Sequence, residues 1–180
     1  MIRDIDIALF HIVNRDLANP AFDTVMPWIT ALGNGRSVFF IAIGVYFLVK
    51  KRAKIAGFVI IAGISASHYI AYYFKNLFGL PRPYEILQGA RVLVDSSGFA
   101  FPSGHTTMAF TAAFIINAFV KKPLMIYAVA AAVGFSRVYL GVHFPSDVAS
   151  GMLLGTLIGY ILVTGAGKAG AFDNIREVGT

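Results

Sequence analysis

The chain has 180 residues, 57% of them hydrophobic and only 13% charged, against about 25% charged in ordinary soluble domains. A mean hydropathy of +0.72 leaves too little polar surface to coat a water-soluble sphere, so a soluble enzyme or solvated binding module is excluded and an integral-membrane protein is expected. The net charge of +6 clusters at the ends of apolar stretches, which fits a membrane and no nucleic acid, and the lack of cysteine removes disulfides, thiolate zinc sites and thiol nucleophiles.

In chain order, Ile2 to Leu17 mixes Asp4, Asp6, His11, Asn14 and Arg15 with apolar residues and predicts an amphipathic, interfacial helix. Asp4 and Asp6 stand where a basic n-region would be needed, so no cleaved leader is expected. Phe22 to Leu32 is apolar enough for a span or a half-span, and Gly33-Asn34-Gly35 ends it. Ser37 to Val49 is a short span whose flanking Arg36 and Lys50 can reach the headgroups. Ile55 to Phe78, Thr106 to Val120, Leu124 to Leu140 and Val148 to Thr164 are apolar and bounded by charge, Pro or Gly; they predict membrane helices of adequate or slightly short length. The expected fold is an all-α, polytopic transmembrane helix bundle of five to six membrane helices plus the N-terminal amphipathic helix. No linker or repeat divides it, so residues 1–180 form one integral-membrane domain.

The loops differ in kind. Lys50, Lys51, Arg52 and Lys54, then Lys121 and Lys122, then Lys168 and Arg176 fall by parity on one face, which the positive-inside tendency makes cytoplasmic. The loop Gly79 to Phe101 and the turn Gly141 to Ser146 fall on the other. Three segments with chemical content meet that second face: Lys75 followed by Arg82-Pro83; Pro102-Ser103-Gly104-His105; and Ser136-Arg137, His143 and Asp147.

Each has an ordinary explanation. Lys75 can be a snorkelling lysine, Pro81-Arg82-Pro83 a stiff loop, Ser103-Gly104 a capped helix start and His105 a packed histidine. Arg137 is harder to dismiss, because an ionisable residue inside a span needs a partner. His143 and Asp147 are four apart, so a helix beginning at Pro145 puts the carboxylate beneath the imidazole and fixes its tautomer. Together the residues supply three cations, an anion-binding helix start, two histidines and one orienting carboxylate, which is an inventory for phosphoryl transfer. One carboxylate and two histidines are a thin ligand set, and three cations would repel a divalent ion, so neither a metal nor another cofactor is expected.

At these residues the sequence resembles the type-2 phosphatidic acid phosphatase (lipid phosphate phosphatase) family, whose pattern is Lys-x6-Arg-Pro, Pro-Ser-Gly-His and Ser-Arg-x5-His-x3-Asp. All three motifs are complete and in order between Lys75 and Asp147. The resemblance implies catalytic roles for His143 as nucleophile, Asp147 as its orienting partner and His105 as acid and base. It assigns the phosphate oxygens to Lys75, Arg82, Ser103, Gly104 and Arg137. The family is similar to the vanadium-dependent haloperoxidases, which are larger and soluble, so this chain's hydrophobicity points to the phosphatase branch.

The expected activity is hydrolysis of a lipid phosphomonoester or pyrophosphate in a bacterial inner membrane, with the site on the extracytoplasmic face. The substrate class spans undecaprenyl pyrophosphate, phosphatidylglycerophosphate, phosphatidic acid and lipid A 1-phosphate. A lipid phosphotransferase with a hydroxyl acceptor would carry identical motifs, whereas a non-catalytic lipid-binding protein would show a broken one. Arg36 and Arg91, with Tyr84, Glu85 and Asp95, are candidates for headgroup contacts, and His68, mid-helix, is expected to be neutral and bonded within the bundle. Oligomeric state has no signature in the sequence.

Overall fold

The structure, a computed structural model, describes residues 2–35, 37, 53–120 and 122–168. All but the first residue of the expected span Ser37 to Val49, and the basic residues Arg36, Lys50, Lys51, Arg52, Lys121 and Arg176, lie outside them. The described residues form helices and connecting loops, with no strand among them.

Helix α1 (Ile2–His11) runs into a π-helical turn, Ile12–Asp16, and is followed by α2 (Pro20–Leu32). The start of α2 is written locally: Asn19 Oδ1 accepts the Phe22 N–H at 2.9 Å, and Pro20 occupies the first turn, where no N–H is needed. At 13 residues α2 is about 20 Å long, too short to cross a hydrocarbon core and consistent with the half-span reading. Helices α3 (Ala53–Phe78), α4 (Gly104–Val120), α5 (Pro123–Tyr139) and α6 (Pro145–Lys168) coincide with the four expected spans to within a few residues. Gly57–Ile86 and Pro145–Lys168 are long and apolar enough to cross a membrane.

Helices α4 and α6 run side by side in the same direction, and glycine makes this possible. A Cβ on Gly151 would stand 2.7 Å from the Ser103 carbonyl oxygen, one on Gly155 would collide with the Thr107 carbonyl, and one on Gly159 would stand 2.6 Å from Phe114 Cβ. Glycine every fourth residue is the close-packing device of membrane helices, where lipid tails compete with any larger apolar side chain. Helix α3 runs antiparallel to this pair. Ser67 and Thr111 share a 2.7 Å hydroxyl hydrogen bond, and Thr111 donates to the Gly155 carbonyl at 3.0 Å. Such interhelical bonds average only about 0.6 kcal/mol, so they set register more than stability.

The apolar core between α3 and α4 is built from Val59, Ile60, Ile64, Met108, Ala112 and Ile115. The exterior is also apolar: Trp28 is 76%, Leu124 85% and Leu153 71% exposed. A surface of this kind suits a bilayer, where exposure to hydrocarbon carries no penalty. The topology brings the C-terminal ends of α3 and α5 and the N-terminal ends of α4 and α6 to one end of the bundle, under the loop Gly79 to Phe101.

Candidate active site

A cavity of about 500 Å³ opens at that end, lined among others by Lys75, Arg82, Gly104, His105, Arg137 and His143. Six of the eight residues expected at the site therefore share one wall. The other two lie behind it. Ser103 is fully buried, its N–H donates to the Asp147 carbonyl at 3.0 Å, and its hydroxyl oxygen accepts from Thr106 at 2.9 Å. Asp147, 3% exposed, backs His143: its Oδ2 lies 3.4 Å from Nδ1 of the imidazole and accepts the Phe144 N–H at 2.8 Å. Helix α6 begins at Pro145, as the four-residue spacing requires, so the carboxylate stands under the ring. The 3.4 Å separation is longer than an ordinary N–H···O bond, as is common before a ligand tightens a site.

His143 lies in the turn between α5 and α6 and is only 2% exposed. Its proton affinity is held well below the ordinary histidine value, first by burial and then by the charges of Arg137, Lys75, Arg82 and His105. The imidazole is thus neutral. With Nδ1 turned to a carboxylate the proton sits there, and Nε2, 3.5 Å from Arg82 NH1, keeps its lone pair.

The three cations differ in how their donors are used. Arg82 donates from Nε to the Gly98 carbonyl at 2.8 Å, from NH1 to Val142 at 2.8 Å and from NH2 to Ser97 at 2.9 Å and Phe99 at 3.4 Å. It holds the long loop and the His143 turn together. Lys75 Nζ donates to the Phe99 and Ala100 carbonyls at 2.6 and 2.9 Å, leaving one of its three hydrogens, and its Cε lies 4.0 Å from where a Cβ on Gly104 would stand. Arg137, 4% exposed, gives NH1 to Thr30 Oγ1 at 2.8 Å, but its buried Nε has no partner among the described residues. A buried guanidinium donor without an acceptor is costly, and an anion in the cavity would satisfy it.

Several wall residues carry no local sequence signal. Asn34, Gly35, Ser96, Ser97 and Met108 also line the cavity. So does His68, which, contrary to expectation, is exposed rather than bonded within the bundle among the described residues. Of the candidate headgroup contacts among the described residues only Asp95 lines the cavity: Arg91 pairs with Asp23 at 2.7 Å, Tyr84 donates to the Ser96 carbonyl at 2.7 Å, and Glu85 accepts the Arg82 N–H at 2.9 Å.

Among the described residues no cluster of three or more metal-ligating side chains of the His, Cys, Asp or Glu type occurs. What the arrangement does hold is a neutral imidazole backed by a carboxylate, facing three cations and the start of α4, whose first N–H groups have no partner within the helix.

Comparison with known proteins fits this chemistry. The PAP2 superfamily matches residues 52–170. The chain is 35% identical over 126 residues to the bacitracin transport permease protein BcrC of Bacillus licheniformis, covering 67% of this chain and 62% of that protein. It is 36% identical over 123 residues to decaprenylphosphoryl-5-phosphoribose phosphatase of Mycobacterium tuberculosis, covering 67% of this chain and 66% of the relative. The matches thus span somewhat under two thirds of these relatives' length. The crystal structure of a transmembrane PAP2-type phosphatidylglycerolphosphate phosphatase from Bacillus subtilis superposes with a TM-score of 0.80 at 26% identity, covering 93% of this chain and 87% of that one.

Proposed function

The chain belongs to the PAP2 superfamily, and from that premise we propose that it is an integral-membrane lipid phosphatase that works through a phosphohistidine and without a metal. The observation that carries this reading is the convergence of Lys75, Arg82 and Arg137, one with an unpartnered buried Nε, on a neutral His143 backed by Asp147.

In the proposed reaction Nε2 of His143 attacks phosphorus and the bond to the lipid oxygen breaks. His105, on the same cavity wall, protonates that oxygen as it leaves. Asp147 keeps the Nδ1 proton in place and stabilises the positive charge that develops on the ring. The neutral His105 then takes a proton from water, whose oxygen attacks the phosphohistidine and releases phosphate. Charge spreads over the equatorial oxygens in both steps, so Lys75, Arg82, Arg137 and the N–H groups at Gly104 do most of the stabilising. The substrate is a lipid phosphomonoester or pyrophosphate, in keeping with the lipid phosphates in the relatives' names.

The reading places the protein in a bacterial inner membrane with the cavity extracytoplasmic. Lys122 and Lys168 support it, because they sit at the opposite ends of their helices from the cavity. Phosphate release by the purified protein, measured over phosphatidic acid, phosphatidylglycerophosphate, lipid A 1-phosphate and undecaprenyl pyrophosphate with a water-soluble phosphoester as control, tests the activity. Turnover of at least one lipid should persist in EDTA and be inhibited by vanadate, a trigonal-bipyramidal phosphate mimic. Loss in chelator with recovery on adding Mg²⁺ would sink the metal-free mechanism.

A further inference from the structure

The turn that carries His143 is gripped from outside the family-matched region. Asp6, Phe10 and Asn14 recur at four-residue spacing along α1 and the π-helical turn, and each meets a different point of Tyr139 to Asp147. Asp6 Oδ1 accepts the Ser146 N–H at 2.8 Å and its Oδ2 accepts the Ser146 hydroxyl at 2.5 Å. Phe10, with no exposed surface, packs its ring 5.6 Å from that of Phe144. Asn14, equally buried, donates to the Tyr139 and Arg91 carbonyls at 2.8 Å each and accepts the Arg91 N–H at 2.8 Å. Gly141 completes the fit, since its φ of +81° suits glycine and a Cβ there would collide with the Arg91 carbonyl.

These contacts bracket the histidine. Ser146 immediately precedes Asp147 in the first turn of α6, where an acceptor side chain is what a helix start needs. The residue that supplies it comes from 140 positions earlier. Arg3, Asp6 and Ile7 leave a second cavity of about 310 Å³ against Phe144, Ser146 and Asp147, so no tightly packed wall would hold this side of Asp147 if the Asp6 bonds were lost. The π-helical turn at Asn14 is a rare conformation that occurs often at functional sites. The neighbouring stripe of the same segment, Ile5, Leu9 and Ile12, is about half exposed, so on the inward face α1 meets the turn through Asp6, Phe10 and Asn14.

We infer that Asp6 is a positioning residue for the proposed reaction: through its two hydrogen bonds to Ser146, the N-terminal helix holds the first turn of α6 in place and thereby the separation of Asp147 from His143. This rests on the reading of His143 as nucleophile. The effect belongs in kcat, because Asp6 lines the second cavity rather than the first.

Asp6→Ala, Asp6→Asn, Ser146→Ala and the Asp6→Ala/Ser146→Ala double variant of the full chain test it, in detergent or vesicles containing the best lipid substrate. A displacement on the order of 1 Å at a reacting pair costs about 100-fold, so Asp6→Ala should lower kcat by about tenfold to 100-fold with KM within twofold. Asp6→Asn, whose amide can accept from the Ser146 N–H and donate to its hydroxyl, should recover kcat to within about fivefold of wild type on that geometry. The double variant should be no slower than Asp6→Ala, since the two side chains act through one contact.

Wild-type kcat in folded Asp6→Ala, equal losses in Asp6→Ala and Asp6→Asn, or a rise in KM alone would each overturn the inference. Should Asp6→Ala fail to fold, Ser146→Ala against Asp6→Asn decides: Ser146→Ala at wild-type kcat overturns it, and the slower of the two being Ser146→Ala upholds it. Carbon-13 NMR of the labelled histidine rings supplies a readout independent of turnover. The His143 resonance should shift in Asp6→Ala and stay in Asp6→Asn, whether or not the protein is a phosphatase; spectra that superpose with wild type in Asp6→Ala would refute the positioning role.

Discussion

Lys122 and Lys168, at the end of the bundle away from His143, are exposed, whereas Arg82 and Arg137 at the other end keep only 3% and 4% of their surface. All four are cations near the ends of apolar helices, and by composition nothing separates them. An exposed lysine keeps its hydration and reports only on orientation in the membrane. A buried guanidinium loses several kcal/mol of hydration, so the fold must return that stabilisation through hydrogen bonds. Arg82 recovers it from the carbonyls of Ser97, Gly98, Phe99 and Val142, while Arg137 has Thr30 and an Nε left over. The difference between the two ends therefore lies in desolvation, and a ligand is the natural completion of the buried end.

The strongest test of that contrast removes the group the buried cations surround. His143→Ala should lower turnover by at least about 10⁴-fold while leaving the circular dichroism spectrum unchanged, because no neighbour replaces the nucleophile. Residual activity within tenfold of wild type would take His143 out of that role. Asp147→Asn should follow with a loss of about 10³- to 10⁴-fold in kcat, since an amide can stabilise the wrong tautomer of the imidazole. A loss of tenfold or less would make Asp147 structural.

Arg137→Ala should cost about 10²- to 10³-fold in kcat/KM, the usual effect of deleting one preorganised charge donor. The same variant carries a pH signature. Arg137 is the largest of the charges that depress His143, after burial, so its removal lets the histidine bind protons more readily. In wild type the acid limb of kcat/KM assigned to free-enzyme His143 should lie below about pH 6.5, the unperturbed histidine value. In Arg137→Ala it should move to higher pH, and a limb that stays put or moves lower would show that the charge does not act on His143.

The smallest effect belongs to the exposed end. Lys122→Cys should keep turnover within twofold and, in this cysteine-free background, react with an impermeant thiol reagent only after cells are permeabilised. Cys at Gln88, in the loop over the cavity, should react in intact cells. The opposite labelling pattern would put the reaction on cytoplasmic lipids.

Much of the candidate site was legible because its information is local. Lys75 and Arg82 flank the end of one apolar stretch, Ser103 to His105 open another, and the four-residue step from His143 to Asp147 needs only a helix starting at Pro145. The amphipathic N-terminus and the four long helices were legible from hydropathy alone. His68 was misread because a mid-helix histidine gives no sign of whether its face meets a neighbour or a cavity.

By itself, then, the sequence determined that this is a membrane bundle, which residues can share one wall at its end and which carboxylate can back which imidazole, since hydrophobic length and helical period are properties of short segments. Only the tertiary structure decided that Arg82 spends its donors on the long loop, that Thr30 holds Arg137, that glycine lets α6 press against α4, and that Asp6 caps the helix of Asp147. Those pairings join residues from 15 to 140 positions apart. Their partners are common polar groups whose identity at either position implies nothing about the other until packing brings them within hydrogen-bonding distance.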